Sequence, residues 1–259
     1  PAYEMLRSLV GSEMCIRDRL LFIRKDPESI GLLPDGEQGK SSSQEPVMLS
    51  KKVANADKHI WSAGEAAKTL TLWAIVSAEF LIILTSGTIG FQLVPYLHES
   101  GLPISIAALA WTLSTLLNAF SNPIWGFLSD IYSPRKLVLG AMPICLVVTS
   151  IFLLIDGGYP GFACVLIWGA ANGGLNLLGG MLIANYFGRH SFGSISGIMG
   201  PFQIIGLGLG PIIGAIMYDA TGGYMYLFAF AVMAYLAATI LFFFAKPPTL
   251  EIVRSVETP

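Results

Sequence analysis

No lysine or arginine occurs between Lys68 and Arg135, between Lys136 and Arg189, or between Arg189 and Lys246, gaps of 66, 52 and 56 residues. A helix needs about 20 apolar residues to cross a hydrocarbon layer of roughly 30 Å. Each gap is overwhelmingly apolar and therefore holds one helix out and one helix back. With six such spans, all fifteen basic residues fall on one face of the membrane. Basic residues bias the loops that carry them toward the cytoplasm, so the ends and bends of three hairpins are expected inside. Continuous apolar runs predict helices, because barrel strands alternate apolar and polar positions. The expected fold class is an all-α membrane protein.

Only 12% of the residues are charged and 54% are hydrophobic, against about 25% charge in average soluble domains. Basic residues are sparse and form no stripe interleaved with aromatics, so no nucleic acid partner is expected. Cys15, Cys145 and Cys164 have no metal or redox spacing. His59, His98 and His190 all fall outside the predicted spans. Neither a nucleophile–base pair nor a metal cluster is visible, so the expectation is no enzyme, no metal and no cofactor. GLGLG at 206–210 overlaps a dinucleotide-type glycine pattern, but no strand precedes it and no βαβ unit exists to support it.

The chain divides into four segments. Residues 1–19 resemble translated sequencing-adapter read-through and are expected to be a scar outside the fold. Residues 20–68 read as the end of a preceding helix followed by a polar cytoplasmic loop, SSSQEP included, too polar to fold alone. Residues 69–246 form the six-helix bundle, and 247–259 a cytoplasmic tail. The predicted spans are 70–96, 104–128, 137–155, 162–186, 195–218 and 224–245. Gly87, Gly90 and Pro95 interrupt the first, and Trp73, Trp125, Tyr186, Tyr96, Tyr159, Tyr218 and Tyr224 mark boundaries, where amphipathic rings prefer to sit.

Strongly polar side chains at membrane depth are unevenly spread: Glu79 and Gln92 in the first span, Asn118 and Asn122 in the second, Asn172 and Asn176 in the fourth, Gln203 in the fifth. The third and sixth spans hold only hydroxyls such as Thr149 and Tyr235. Unpaired polar groups are costly in hydrocarbon and turn toward protein or water. Four spans are thus expected to face a cavity or one another, and two to pack outside them. Each asparagine pair is spaced by four and shares a helix face, and Trp111 and Thr115 extend the second span's stripe. Each amide reads either as a cavity ligand or as an interhelical hydrogen bond, which averages only about 0.6 kcal/mol in one measured case. Glu79 lies about ten residues into its span. An ionised carboxylate there costs several kcal/mol, so it reads either as a structural neutral acid or as a group suited to proton coupling.

Residues 206–214, GLGLGPIIG, contain overlapping G-x-x-x-G spacings at Gly206, Gly210 and Gly214, a device for close helix approach in membranes. Pro211 and Pro201 each remove a helical hydrogen bond and predict kinks.

The turn GFLSDIYSPRK, Gly126 to Lys136, resembles the G-x-x-x-D-x-x-x-x-R-K signature of the major facilitator superfamily. In that family the signature joins the second and third helices of a six-helix half, its position here. GLGLGPIIG resembles the family's glycine–proline motif on the fifth helix of a half. RKDPESIGLLPDGE and YFGRHSFGSISG resemble segments of its oxalate/formate-antiporter and monocarboxylate-transporter branch. The resemblance covers about residues 20–248. It implies the C-terminal six-helix half of a twelve-helix secondary transporter, a fragment whose N-terminal half is missing.

By that resemblance, Gly126 allows close helix contact, and Asp130, Arg135 and Lys136 belong to an inner gate engaging the missing half. The helix-packing motif is Gly206, Gly210, Pro211 and Gly214. The implied activity is alternating-access transport of a small organic solute, a monocarboxylate in that branch, in a plasma or inner cell membrane. Carboxylate-carrying relatives often place a basic residue in the second or fifth span, and this chain has none there. From the residues alone, a six-span receptor or scaffold that binds without translocating remains the rival.

Overall fold

Inside hydrocarbon every backbone polar group needs an internal partner, which long apolar runs achieve by coiling into helices. The computed structural model describes residues 61–248 except 156, 189 and 190. The expected scar, most of the expected cytoplasmic loop, Arg189, His190 and all but the first two residues of the tail lie outside the described residues. A short helix α1 (Ala63–Ala67) precedes six long ones: α2 (Leu70–Glu99), α3 (Ile104–Ile131), α4 (Pro134–Ile151), α5 (Gly158–Phe187), α6 (Phe192–Thr221) and α7 (Met225–Phe244). All six are long and apolar enough to cross a membrane. With no strand among the described residues, the protein is all-α and multi-pass.

Most helices outrun the apolar limits read from sequence. His98 and Glu99, expected in a loop, form the last turn of α2. Asp130 closes α3, and Gly158 opens α5 four residues early. Charged or small residues are tolerated there because the ends of a 30-residue helix, about 45 Å long, project beyond a 30 Å apolar layer. In the other direction, α4 stops at Ile151 rather than at Ile155. Gly87, Gly90 and Pro95 do not interrupt α2, and Pro123, Pro143, Pro201 and Pro211 also lie inside helices.

Ser62 caps α1 with Glu65: the Ser62 hydroxyl accepts from the Glu65 N–H (3.2 Å) and the Glu65 carboxylate from the Ser62 N–H (2.9 Å). This capping box places α1 directly before α2.

Helices α2 and α5 are the most buried and form the centre. Helix α2 packs most extensively on α6 and α7, while α5 packs on α3 and α4, and α4 meets α7. Exchanging α2, α3 and α4 with α5, α6 and α7 maps this pairing onto itself, the pattern of two inverted three-helix repeats. Glycines permit the two tightest crossings. Gly206, Gly210 and Gly214 of α6 lie against Phe80, Leu84 and Thr88 of α2. Gly169 and Gly173 of α5 lie against Ser114, Asn118 and Ser121 of α3, and the neighbouring Gly174 lies against Trp125.

Side-chain hydrogen bonds pin the two ends of the bundle. At the end bearing Lys68, Arg135 and Lys246, the exposed carbonyls closing α7 are taken by three other helices. Arg135 donates to Phe243 O (2.8 Å), Tyr186 to Ala245 O (3.2 Å) and Thr71 to Lys246 O (2.9 Å). At the opposite end, Glu99 accepts from the hydroxyls of Tyr218 (2.9 Å) and Tyr224 (3.0 Å), and Tyr96 donates to Ile155 O. Trp125, near the end of α3, also joins two helices. Its indole N–H donates to Ala170 O (3.2 Å), so it wedges α3 onto α5.

Candidate functional site

Midway along the bundle, α2, α3 and α5 part around a cavity of about 400 Å³. Its walls carry Ser86, Gly90 and Phe91 from α2, Trp111, Thr115 and Asn118 from α3, and Trp168, Asn172 and Asn176 from α5. Leu207 of α6 also lines it, and α4 and α7 contribute no lining residue. The residues on each helix repeat in steps of about four, so each wall is one helix face. Gly90 makes room for Trp111: a Cβ there would lie 2.8 Å from the indole Cη2.

Hydrogen bonds fix much of the polar lining. Ser86 donates to Asn172 Oδ1 (2.9 Å) and reaches Ile82 O (2.8 Å). Asn176 Nδ2 donates to Asn172 O (3.0 Å), and Trp168 Nε1 donates to the buried Tyr235 hydroxyl (3.1 Å). No lining residue carries a formal charge. The cavity can therefore sort solutes by shape and by neutral hydrogen bonds, between two indole rings.

Of the seven residues read from sequence as cavity candidates, Asn118, Asn172 and Asn176 line this space. Glu79, Gln92, Asn122 and Gln203 do not. The cavity is short, and a step of four residues advances about 6 Å along the axis while turning about 40°. Asn122 and Gln203 each lie one turn from a lining residue, Asn118 and Leu207, and leave the cavity's depth. Gln92 turns to α6, where a Cβ at Gly214 would lie 3.2 Å from its Cγ.

Glu79 is fully enclosed, and neither carboxyl oxygen has a hydrogen-bond partner among the described residues. It lies about 8 Å from the midpoint of α2 toward the basic end, two turns from Ser86 on the same face. A Cβ at Gly179 of α5 would overlap its carboxyl group, so glycine there is what admits the side chain. Gly179 in turn continues the Asn172–Asn176 face of α5.

The motif residues sit at the basic end. Asp130 and Lys136 are exposed. Arg135 turns back into the bundle to cap α7, rather than toward Asp130. A Cβ at Gly126 would meet nothing within 4 Å, so no other helix packs against that face of Gly126 among the described residues.

Sequence reading singled out neither Ser86 nor Trp168. Both were within reach of it: Trp168 precedes Asn172 by four, and Ser86 follows Glu79 by seven, the spacing of one helix face.

Comparison with known proteins gives this architecture a family. An efflux pump, dotC, of Dothistroma septosporum is 31% identical over 56% of this chain and 25% of its own length. The uncharacterised MFS-type transporter YfiU of Bacillus subtilis is 30% identical over 60% of this chain and 31% of its own length. Citrate exporter 1 of Aspergillus niger is 24% identical over 77% and 38% respectively. The chain thus spans between a quarter and two fifths of the length of these relatives. Among solved structures, the transporter FucP in its outward conformation superposes with a TM-score of 0.60 at 17% identity, over 69% of this chain and 43% of FucP. The POT-family transporter PepTSo gives 0.59 at 14% identity, over 73% and 42%. Residues 75–258 match the model of the Major Facilitator Superfamily, and with six spanning helices in that family's half-fold, the chain belongs to it.

Proposed function

We propose that this bundle is the C-terminal half of a secondary transporter that moves a small organic solute by alternating access. Two six-helix halves would rock around a midplane site. The observation that carries this reading is the cavity itself: an uncharged pocket lined by amides, hydroxyls and two indoles, halfway along otherwise apolar helices. Asn118, Asn172 and Asn176 are its solute ligands. Asp130 and Lys136, exposed at the basic end, face the other half. The names of the efflux pump and citrate exporter relatives support export of an organic solute. The monocarboxylate assignment rests on the two branch-like segments, and it requires a cation from the other half, because this half's lining has none.

Glu79 is the proposed proton site. It is buried and has no hydrogen-bond partner among the described residues, and it lies on the α2 face that carries Ser86 to the cavity. Uptake into proteoliposomes containing the complete transporter, with and without a pH gradient, tests both claims. Gradient-driven uptake should disappear in Glu79→Gln, while solute exchange without a gradient persists. Gradient-driven uptake that survives Glu79→Gln removes the proton role. Solute binding with no translocation under any gradient would instead favour a receptor.

A further inference from the structure

A second pocket, of about 370 Å³, opens at the end of the bundle opposite Lys68, Arg135 and Lys246. Its walls come from α2, from α4 with the turn after it, and from α7, and it shares no lining residue with the mid-bundle cavity. We infer that this pocket binds a primary ammonium ion carried on a small apolar body, held by the Glu99 carboxylate over a floor of aromatic rings. The inference stands apart from the transport reading, because α4 and α7 line none of the proposed solute site.

Glu99 reaches this pocket because α2 runs on past its apolar stretch, so that His98 and Glu99 form its last turn. Tyr218 of α6 donates its hydroxyl to Glu99 Oε1 at 2.9 Å, and Tyr224, just before α7, donates to the same oxygen at 3.0 Å. An ionised carboxylate has two oxygens and only accepts. Both phenols use one of them, and Oε2 makes no hydrogen bond among the described residues. The carboxylate is thus held in place with one oxygen left for a donor.

Tyr96, Phe152, Tyr224 and Phe228 form the floor, each less than a tenth exposed. Tyr96 meets the other three edge-on, with ring centroids 4.9 to 5.8 Å apart, and Phe152 stacks on Phe228 at 4.9 Å. The Tyr96 hydroxyl donates to Ile155 O at 3.1 Å, which ties the floor to the turn after α4. Rings packed in this way cannot turn aside, so the floor is preformed.

Three features select a cation. Aromatic faces attract ammonium groups. Every lysine and arginine among the described residues lies at the other end of the bundle, so none of them neutralises Glu99. His98 is its helix neighbour and faces elsewhere, with Nδ1 3.0 Å from Leu102 O. Lastly, α2 and α4 end at the pocket while only α7 begins there, and helix C-termini favour positive charge. A primary ammonium satisfies all three: its N–H groups meet the free carboxylate oxygen, and its alkyl chain lies on the rings.

The test uses the complete transporter in detergent at pH 7, with native cysteines replaced and Met225→Cys, an exposed lining position, as reporter. Protection of that cysteine from methyl methanethiosulfonate, a neutral reagent, is measured with butylammonium, butan-1-ol and butyrate, three probes of one carbon skeleton. Butylammonium should protect at concentrations about tenfold or more below butan-1-ol, the margin of a hydrogen bond to a charged group over a neutral one. Butyrate should protect least. Glu99→Gln keeps the shape of the side chain and an acceptor for both phenols, and should cut the ratio to about threefold or less, which the ring faces alone supply. Unchanged labelling of that variant without a probe shows that the pocket has kept its form, and the comparison in the parent protein decides without any variant. Equal protection by butylammonium and butan-1-ol in the parent, protection by none of the three, or a full preference that survives Glu99→Gln overturns the inference and leaves the transport reading intact.

Discussion

Gly210→Ala measures how the bundle is held together, because the environment of this glycine is backbone on every side. A Cβ at Gly210 would lie 2.6 Å from Leu84 O, 2.8 Å from Thr88 N and 2.9 Å from Gly87 C. None of these atoms can rotate away, so α2 and α6 must part by about 0.8 Å to restore ordinary contact near 3.4 Å. Overpacking of this kind costs about 1–3 kcal/mol. Parting the helices also stretches the bond from the Thr88 hydroxyl to Gly210 O, now 3.0 Å, a type worth about 0.6 kcal/mol in membranes. The expected loss is about 2–3 kcal/mol, or roughly 30- to 150-fold in the folded-to-unfolded ratio. Gly206 and Gly214 share the stripe, but a Cβ at either meets its nearest neighbours at 3.2 Å, so their alanine variants should lose less. A Cβ at Gly208 meets nothing within 4 Å, so Gly208→Ala should be neutral or slightly stabilising through helix propensity. Reversible unfolding in mixed detergent micelles reads all four variants. An equal effect at Gly208 and Gly210, or none at either, would refute the argument that close backbone approach holds α2 on α6.

Three further outcomes follow from named contacts. Glu79→Met should raise stability by about 1–3 kcal/mol, since it removes a buried carboxyl with no partner; the same variant should abolish gradient-driven uptake, and a stability loss there would show Glu79 to be structural. Arg135→Ala strips the Phe243 carbonyl of its donor and should cost about 1 kcal/mol in the same unfolding assay, with Arg135→Gln recovering part of it. Burial, then the Glu99 carboxylate beside it, holds the Tyr224 phenol above its ordinary range. Above pH about 10 the unfolded chain loses that proton while the folded one keeps it, so stability should fall as pH rises past 10, less steeply in Tyr224→Phe when melting is followed from pH 8 to 11.

Periodicity and charge made the six spans readable, because covering backbone polar groups in hydrocarbon leaves a chain of this composition few alternatives. Helix ends were less readable. His98 and Glu99 look like loop residues in sequence, yet nothing stops a helix from continuing once it reaches water. The asparagine pairs pointed to polar faces, but spacing gives an angle around a helix and not a depth shared with a neighbour. Asn118, Asn172 and Asn176 reach one cavity because α3 and α5 cross at that height, and Asn122 misses it by one turn. Ser86 and Trp168, ordinary residues in an apolar run, become site residues only through partners 86 and 67 positions away.

The sequence by itself determined that this is a multi-pass membrane protein with six apolar spans, since solvation free energy depends on composition and order alone. The tertiary structure decided which polar groups meet. It left the Glu79 carboxyl without a hydrogen-bond partner among the described residues, gave Arg135 the Phe243 carbonyl at the end of α7, and bonded Tyr235 of α7 to Trp168 of the cavity lining. Such outcomes depend on how closely two helices approach and at what height they cross. A glycine on one helix permits that approach only where the facing backbone leaves room for it.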